Sequence, residues 1–251
     1  CDLDHSFPRY NPNPEDMKML HAIAEAVVQH KADVGLGFDG DGDRCGVIDN
    51  TGDEIFADKV GVMLARDLSA LHKGATFVVD VKSTGLFMTD PVLIKNGAKT
   101  LYWKTGHSYI KRKTAEVGAL AGFEKSGHFF FAPPLGRGYD CGLTAAAAIL
   151  AMLDRNPGKR LSELREALPV AYTSLTMSPH CADERKYGVV DKVVGEYEQL
   201  AKAGGKILGR AIKDHDLVTD ASPDEICRIF EGAITVGKAF GVIKVPSGTL
   251  I

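Results

Sequence analysis

Four times in this chain a short apolar run ends in a polar loop that carries glycine. VGLGF (34–38) leads into DGDGDR (39–44), and TFVVDV (76–81) into KSTG (82–85). TLYW (100–103) leads into KTGHS (104–108), and the run from Leu120 ends in EKSGH (124–128). Runs of this length with apolar and β-branched residues predict strands. Between them lie segments with apolar residues at helical spacing. The alternation predicts an α/β architecture, and open α/β sheets hold ligands at the carboxyl ends of their strands. The loops share that position, and loops carry function more often than they carry stability.

The first loop has the sharpest chemistry. Asp39, Asp41 and Asp43 alternate with Gly40 and Gly42, and Arg44 follows directly. Glycine permits backbone conformations closed to other residues, so three carboxylates can curl around one ion. Hard divalent cations take oxygen ligands, and Mg²⁺ keeps places for water or phosphate oxygens. An adjacent guanidinium suits an anion that forks onto it. The competing reading is a solvated Asp-Gly turn after a strand.

Composition excludes several function classes. The chain has 251 residues, 45% hydrophobic and 25% charged, with a net charge of −3. That balance is ordinary for a globular protein and argues against a nucleic-acid partner. No apolar run approaches the ~20 residues needed to span a bilayer, so no membrane partner is expected. Five cysteines without a CxxC pair suggest free thiols in a reducing compartment, hence a cytoplasmic location. Nothing in the sequence sets an oligomeric state.

The periodicity predicts helices opening at Pro14-Glu15-Asp16 and ending near His30, then at 55–72, 87–96, 109–116 and 140–153. The alanine-rich window Leu143–Leu153 reads as a buried helix. Asn156-Pro157-Gly158-Lys159 breaks the chain before a short helix from Leu161. Residues 170–180 look extended, a helix follows within 182–198, and 226–230 and 242–245 are strand-like.

Several side chains in the later loops suit anionic or hydroxylated ligands. Lys82 is either solvated or meets an anion. His107 and His128 each follow a glycine and can carry protons near neutrality. Glu124 and Ser126 sit at alternate positions, facing one way if extended, and could hold vicinal sugar hydroxyls. Arg137 and Tyr139 precede a helix and either close over a ligand or cap it. There is no GxxxxGK[ST] loop, no Rossmann GxGxxG that follows a strand and opens a helix, and no triad around Ser83, Ser108 or Ser126. A hard-cation loop, several cationic groups and a polyol-sized polar pair point to phosphoryl chemistry on a hydroxylated small molecule.

These segments carry a family likeness. FPRYNPNPE (7–15), DGDGDR (39–44), VVDVKST (78–84), WKTGHSYIK (103–111), GFEKSGHFFF (122–131) and GRGYDCG (136–142) stand in the order found in the phosphomannomutase/phosphoglucomutase group of the α-D-phosphohexomutase family. MSPHCADERKYGVV (177–190) is similar to the opening of that family's last domain.

The resemblance implies three similar α/β domains and a smaller fourth around a cleft. Here it implies the carboxyl-terminal part of the second domain at 1–53, the third at 54–168 and a C-terminal α+β domain at 169–251. A serine-bearing domain is not matched, so the chain alone is expected not to turn over.

The resemblance also implies roles. Asp39, Asp41 and Asp43 would hold Mg²⁺ beside a phosphoserine. Arg44, Lys82 and His128 would act at the reacting groups. His107, Glu124, Ser126 and Arg137 would bind the sugar phosphate. The reaction would interconvert hexose 6-phosphate and hexose 1-phosphate, of mannose or glucose, through a hexose bisphosphate. A phosphoglucosamine-type mutase and a non-catalytic sugar-phosphate-binding protein are the alternatives.

Two positions depart from the family pattern. Val245-Pro246-Ser247-Gly248-Thr249 has valine where a phosphate loop would carry arginine, and Cys141 stands where a second aspartate is expected, which would weaken helix capping.

Overall fold

The structure is a computed structural model. It describes residues 6–171 and 181–202 and four short strands at 207–208, 218–219, 234–236 and 242–244. The chain divides into two units, Cys1–Pro169 and Val170–Ile251.

The first unit begins with α1 (Met17–His30), capped by Asp16, whose side chain accepts from the Lys18 amide at 2.9 Å. Asp16 rather than Pro14 thus starts the helix. Its buried Leu20 and Val27 pack with Ile48, Ile23 and Ala24. Beneath it lie β1 (Val34–Phe38), β2 (Cys45–Asp49) and β3 (Glu54–Ile55), an antiparallel sheet in the order β1-β2-β3. Phe38 pairs with Cys45, so residues 39–44 form the hairpin connection. β3 is the strand that the sequence pattern misses: two residues are too few to show a period of two.

The second layer runs α2 (Ala57–Leu71), β4 (Thr76–Asp80), α3 (Leu86–Thr89), α4 (Pro91–Lys95), β5 (Lys99–Trp103), α5 (His107–Glu116), β6 (Ala121–Phe123), β7 (Phe129–Phe131), α6 (Gly142–Asp154) and α7 (Leu161–Glu166). The sheet order is β5-β4-β6-β7, with β4 parallel to both neighbours and β7 antiparallel. The helix expected over 87–96 is two helices. Pro91 has no amide to donate, and Asp90 ends the first helix and caps the second, accepting from the Val92 and Leu93 amides.

Strand alternation gives this sheet two apolar faces. Val78 and Phe130 pack with Ile110 of α5 and Ala119 on one. On the other, Phe123 lies at the centre of an aromatic group, its ring centroid 6.0 Å from Phe77, 5.7 Å from Phe87, 5.4 Å from Phe129 and 6.2 Å from Phe131. Each such pair adds about 0.5–1.5 kcal/mol beyond area burial.

Helix α2 buries Val60, Met63, Leu64 and Leu68, while Leu71 at its end is exposed. Helix α6 is less buried than its composition suggests. Ala145, Ala146, Ile149 and Met152 face inward, but Leu143 and Leu150 are 69% and 49% exposed. An alanine-rich stretch leaves too little polar contrast to show which face is wet.

In the second unit, α8 spans Lys186–Lys202. β8 (Ile207–Leu208) pairs antiparallel with β9 (Val218–Thr219), and β10 (Ile234–Val236) with β11 (Val242–Lys244). The expected extended segment at 172–180, the strand at 226–230 and the loop at 245–249 lie outside the described residues. Among the described residues, no helix is long and apolar enough to cross a membrane.

Candidate functional site

The hairpin after β1 supplies an all-oxygen cluster. One carboxylate oxygen from each of Asp39, Asp41 and Asp43 lies within 4.8 Å of the others. Gly42, at φ 76°, makes the turn possible. Asp39 is buried and fully engaged: the Arg44 amide donates to its Oδ1 at 3.1 Å and Arg44 Nε to its Oδ2 at 2.6 Å. Burial works to raise its pKa, but these bonds and the guanidinium charge outweigh it and hold the carboxyl below its ordinary value. Arg44 also donates to Asn13 Oδ1 at 3.1 Å. Asp43 is shifted the other way, raised by burial and by Asp39, Asp41 and Asp140, against the pull of His128. Its Oδ1 is buried without a hydrogen-bond donor. Excess negative charge and an unsatisfied hard oxygen fit a divalent cation of the Mg²⁺ type.

Gly142, at the start of α6, fixes this loop from behind. Its amide donates to Gly42 O at 2.9 Å, and a Cβ there would meet Arg44 O at 2.7 Å and Gly42 O at 2.8 Å. Cys141, the N-cap residue of α6, makes no side-chain capping bond.

The connection between β6 and β7 brings a second set of groups to the same place. Arg44 and His128 form an antiparallel bridge, and the Cys45 amide donates to Gly127 O at 3.4 Å. His128 Nε2 lies 3.5 Å from Asp43 Oδ1. Its Nδ1 lies 2.9 Å from Ser126 Oγ and 3.4 Å from Glu124 Oε2. Desolvation lowers the His128 pKa, but the hydrogen bond and charge of Glu124 and the charge of Asp43 raise it above the ordinary value. The His107 ring stacks on His128 with centroids 5.6 Å apart, and its Nδ1 lies 3.4 Å from Asp140 Oδ2. Glu124 is 1% exposed and accepts from the Gly106 amide at 2.6 Å. It joins this loop to the one carrying His107.

Asp80, the last residue of β4, ties three loops together. Its Oδ1 accepts from Ser83 Oγ at 2.5 Å and from the Lys125 amide at 3.2 Å, and its Oδ2 accepts from Thr105 Oγ1 at 3.3 Å. Burial, with the charges of Glu124 and Asp58, pushes its carboxyl up to about 7 despite the Ser83 and Lys125 bonds.

The structure thus brings together Asp39, Asp41, Asp43, Arg44, His107, Glu124, Ser126 and His128. Lys82 is half-buried in the loop that Asp80 braces through Ser83. Arg137 is exposed in the loop before α6 and takes no part in the contacts above. Glu124 and Ser126 do not sit side by side as an open pair; both address His128 Nδ1. Sequence reasoning missed Asp80, Asp140, Asn13 and Gly106. Asp80 had a signal, a carboxylate at the end of an apolar strand. Asn13 and the Gly106 amide had none, since their roles depend on distant partners.

Comparison with known proteins gives the family. Residues 1–52 match the model for phosphoglucomutase/phosphomannomutase alpha/beta/alpha domain II, and residues 56–172 match that for domain III. A phosphomannomutase/phosphoglucomutase from Pseudomonas putida is 35% identical over 191 residues, 76% of this chain and 40% of the relative. A phosphoglucomutase from Neisseria meningitidis serogroup A is 38% identical over 170 residues, covering 67% and 36%. A probable phosphoglucosamine mutase from Methanosarcina acetivorans is 34% identical over 199 residues, covering 79% and 43%. The chain spans about 40% of the length of the curated relatives it matches. The crystal structure of a phosphoglucomutase/phosphomannomutase family protein from Burkholderia thailandensis superposes with a TM-score of 0.61 at 35% identity, over 67% of this chain and 36% of that one. On sequence and fold alike, this chain belongs to the phosphoglucomutase/phosphomannomutase family.

Proposed function

We propose that this chain forms the metal- and sugar-binding side of a phosphohexomutase active site that interconverts hexose 6-phosphate and hexose 1-phosphate. The observation that carries the reading is the seam between residues 39–44 and 124–128, where a cation loop, a fixed guanidinium and a histidine backed by a carboxylate meet. Asp39, Asp41 and Asp43 hold Mg²⁺, which, when bound, withdraws charge from a phosphoryl group in transfer. Arg44, held by Asp39 and Asn13, presents the rest of its guanidinium to phosphate oxygens. His128 moves a proton at the sugar hydroxyl through Nε2, while Glu124 and Ser126 hold Nδ1. Ser126, His107 and Arg137 contact the sugar phosphate, and Lys82 sits with His128 at the reacting end. The phosphoryl donor is a phosphoserine that residues 1–251 do not supply, and the reaction passes through a hexose bisphosphate. The work is cytoplasmic, and the domains run over 1–53, 54–168 and 169–251.

The test is calorimetric titration of the chain with glucose 1,6-bisphosphate in the presence of Mg²⁺. Binding is expected to be tighter than for inorganic phosphate and to weaken about tenfold in Ser126→Ala, the loss of one hydrogen bond to a charged or well-ordered partner. A chain that binds both ligands alike overturns the proposal. Turnover of glucose 1-phosphate by the isolated chain overturns the division of labour.

A further inference from the structure

Asp43 belongs to a second cluster as well as to the all-oxygen loop. Asp43, His128 and Asp140 each bring one donor atom within 4.8 Å of the others. Asp43 Oδ1 and Asp140 Oδ2 are both buried oxygens without a hydrogen-bond donor, and the Asp140 side chain is only 8% exposed. Imidazole nitrogens are their nearest partners, His128 Nε2 3.5 Å from Asp43 Oδ1 and His107 Nδ1 3.4 Å from Asp140 Oδ2, and two carboxylate oxygens this close favour a positive charge between them.

The histidine between them is oriented from behind. Glu124 is 1% exposed, and its Oε2 lies 3.4 Å from His128 Nδ1. Ser126 Oγ is 2.9 Å from the same nitrogen. A carboxylate against Nδ1 keeps a proton on that nitrogen, so Nε2 is the nitrogen that a metal ion would take by displacing its proton. Nε2 lies on the side of Asp43, 3.5 Å from Oδ1. Carboxylate, histidine and an electron-rich pocket in this order are the arrangement by which proteins orient an imidazole toward a metal ion.

We propose that Asp43, His128 and Asp140 form a second cation site, selective for Zn²⁺ or a similar first-row transition ion, that shares Asp43 with the loop site. One imidazole nitrogen with two carboxylate oxygens suits such an ion better than Mg²⁺, which prefers oxygen alone. Three protein ligands leave a fourth position open for water or an anionic oxygen. Lys111 Nζ, 3.7 Å from Asp140 Oδ1, addresses the other oxygen of that carboxylate. Arg44 Nε lies 4.0 Å from Asp43 Oδ1, but its 2.6 Å bond to Asp39 holds it there rather than on Asp43. His107, 3.4 Å from Asp140 Oδ2, is 52% exposed and free of the core. An ion in this site occupies His128 Nε2 and so excludes the proton transfer assigned to that atom above, which makes the site inhibitory.

The experiment titrates the chain with Co²⁺ in saturating Mg²⁺, follows the visible d–d absorption, and then displaces Co²⁺ with Zn²⁺. A band that Mg²⁺ does not suppress and Zn²⁺ removes is expected. His128→Ala and Asp140→Asn should each weaken Co²⁺ binding by tenfold or more, while Asp41→Asn, which touches only the loop site, leaves the band in place. Glu124→Gln should weaken it about tenfold, the usual effect of losing the partner behind a ligating histidine. If His128→Ala does not fold by circular dichroism, the isosteric Asp140→Asn decides alone. Absence of the band, its suppression by Mg²⁺, or its loss in Asp41→Asn but not in Asp140→Asn overturns the proposal, and an imidazolium bridging two carboxylates then accounts for the cluster.

Discussion

Gly142 donates its amide to the carbonyl of Gly42 across 2.9 Å, so the first turn of α6 rests directly on the aspartate loop. A methyl group at 142 would meet two backbone carbonyls, Arg44 O at 2.7 Å and Gly42 O at 2.8 Å. Backbone cannot rotate away as a side chain can. Gly142→Ala is therefore expected to cost about 1–3 kcal/mol and to weaken Mg²⁺ binding. Urea unfolding and metal titration measure the two effects, and unchanged Mg²⁺ affinity would show that the loop does not depend on this contact.

Asp80 predicts a pH dependence of stability. Its folded pKa is about 7 against an ordinary 3.8. Between those values the folded chain retains a proton that the unfolded chain has released. Unfolding is thus favoured as pH rises through this window. Other carboxylates titrate as well, so the informative quantity is a difference. Asp80→Asn keeps an acceptor for Ser83 and the Lys125 amide, and it should gain stability relative to the parent as pH rises from 3.8 to about 7. Urea midpoints of both proteins across that range check it; a constant gap between them refutes it.

The aromatic core is expected to be unforgiving. Phe123 is fully buried with four phenylalanine rings around it. Phe123→Ala should cost about 3–5 kcal/mol, and Phe123→Leu much less because most of the volume stays. Chemical denaturation reads the pair, and equal losses would mean that shape, not volume, sets the cost.

Thiol reactivity should separate the cysteines. Burial pushes the Cys45 thiol up to about 12, whereas the nearby polar groups of Thr144 draw the half-buried Cys141 thiol below its ordinary value. Cys181 is exposed. Iodoacetamide at neutral pH is expected to label Cys181 and Cys141 well before Cys45. Peptide mass spectrometry after a timed reaction shows the order.

Much of this molecule was legible as sequence. β1 over 34–38 and β7 over 129–131 follow directly from apolar runs bounded by turns. The convergence of Asp39, Asp41 and Asp43 was legible because it is local: three acids and the glycines that let them meet lie within six residues. The site around His128 was legible in membership but not in arrangement. Glu124 and Ser126 alternate along the chain, which suggested an outward-facing pair, yet Gly106 captures Glu124 from a loop 18 positions away. Asp80 and Asp140 were missed for the same reason. A carboxylate that braces distant loops has no spacing rule; only the fold supplies its partners.

The bridge between Arg44 and His128 has a mechanical consequence. Residues of the small antiparallel sheet and of the larger mixed sheet exchange backbone contacts at that point, reinforced by Cys45 and Gly127. The aspartate loop and the β6–β7 connection are consequently joined through their main chains. A ligand entering this site cannot part them without tearing main-chain bonds. Any motion between these two loops has its hinge away from this seam, which fixes the spacing between the aspartate loop and the His128 backbone.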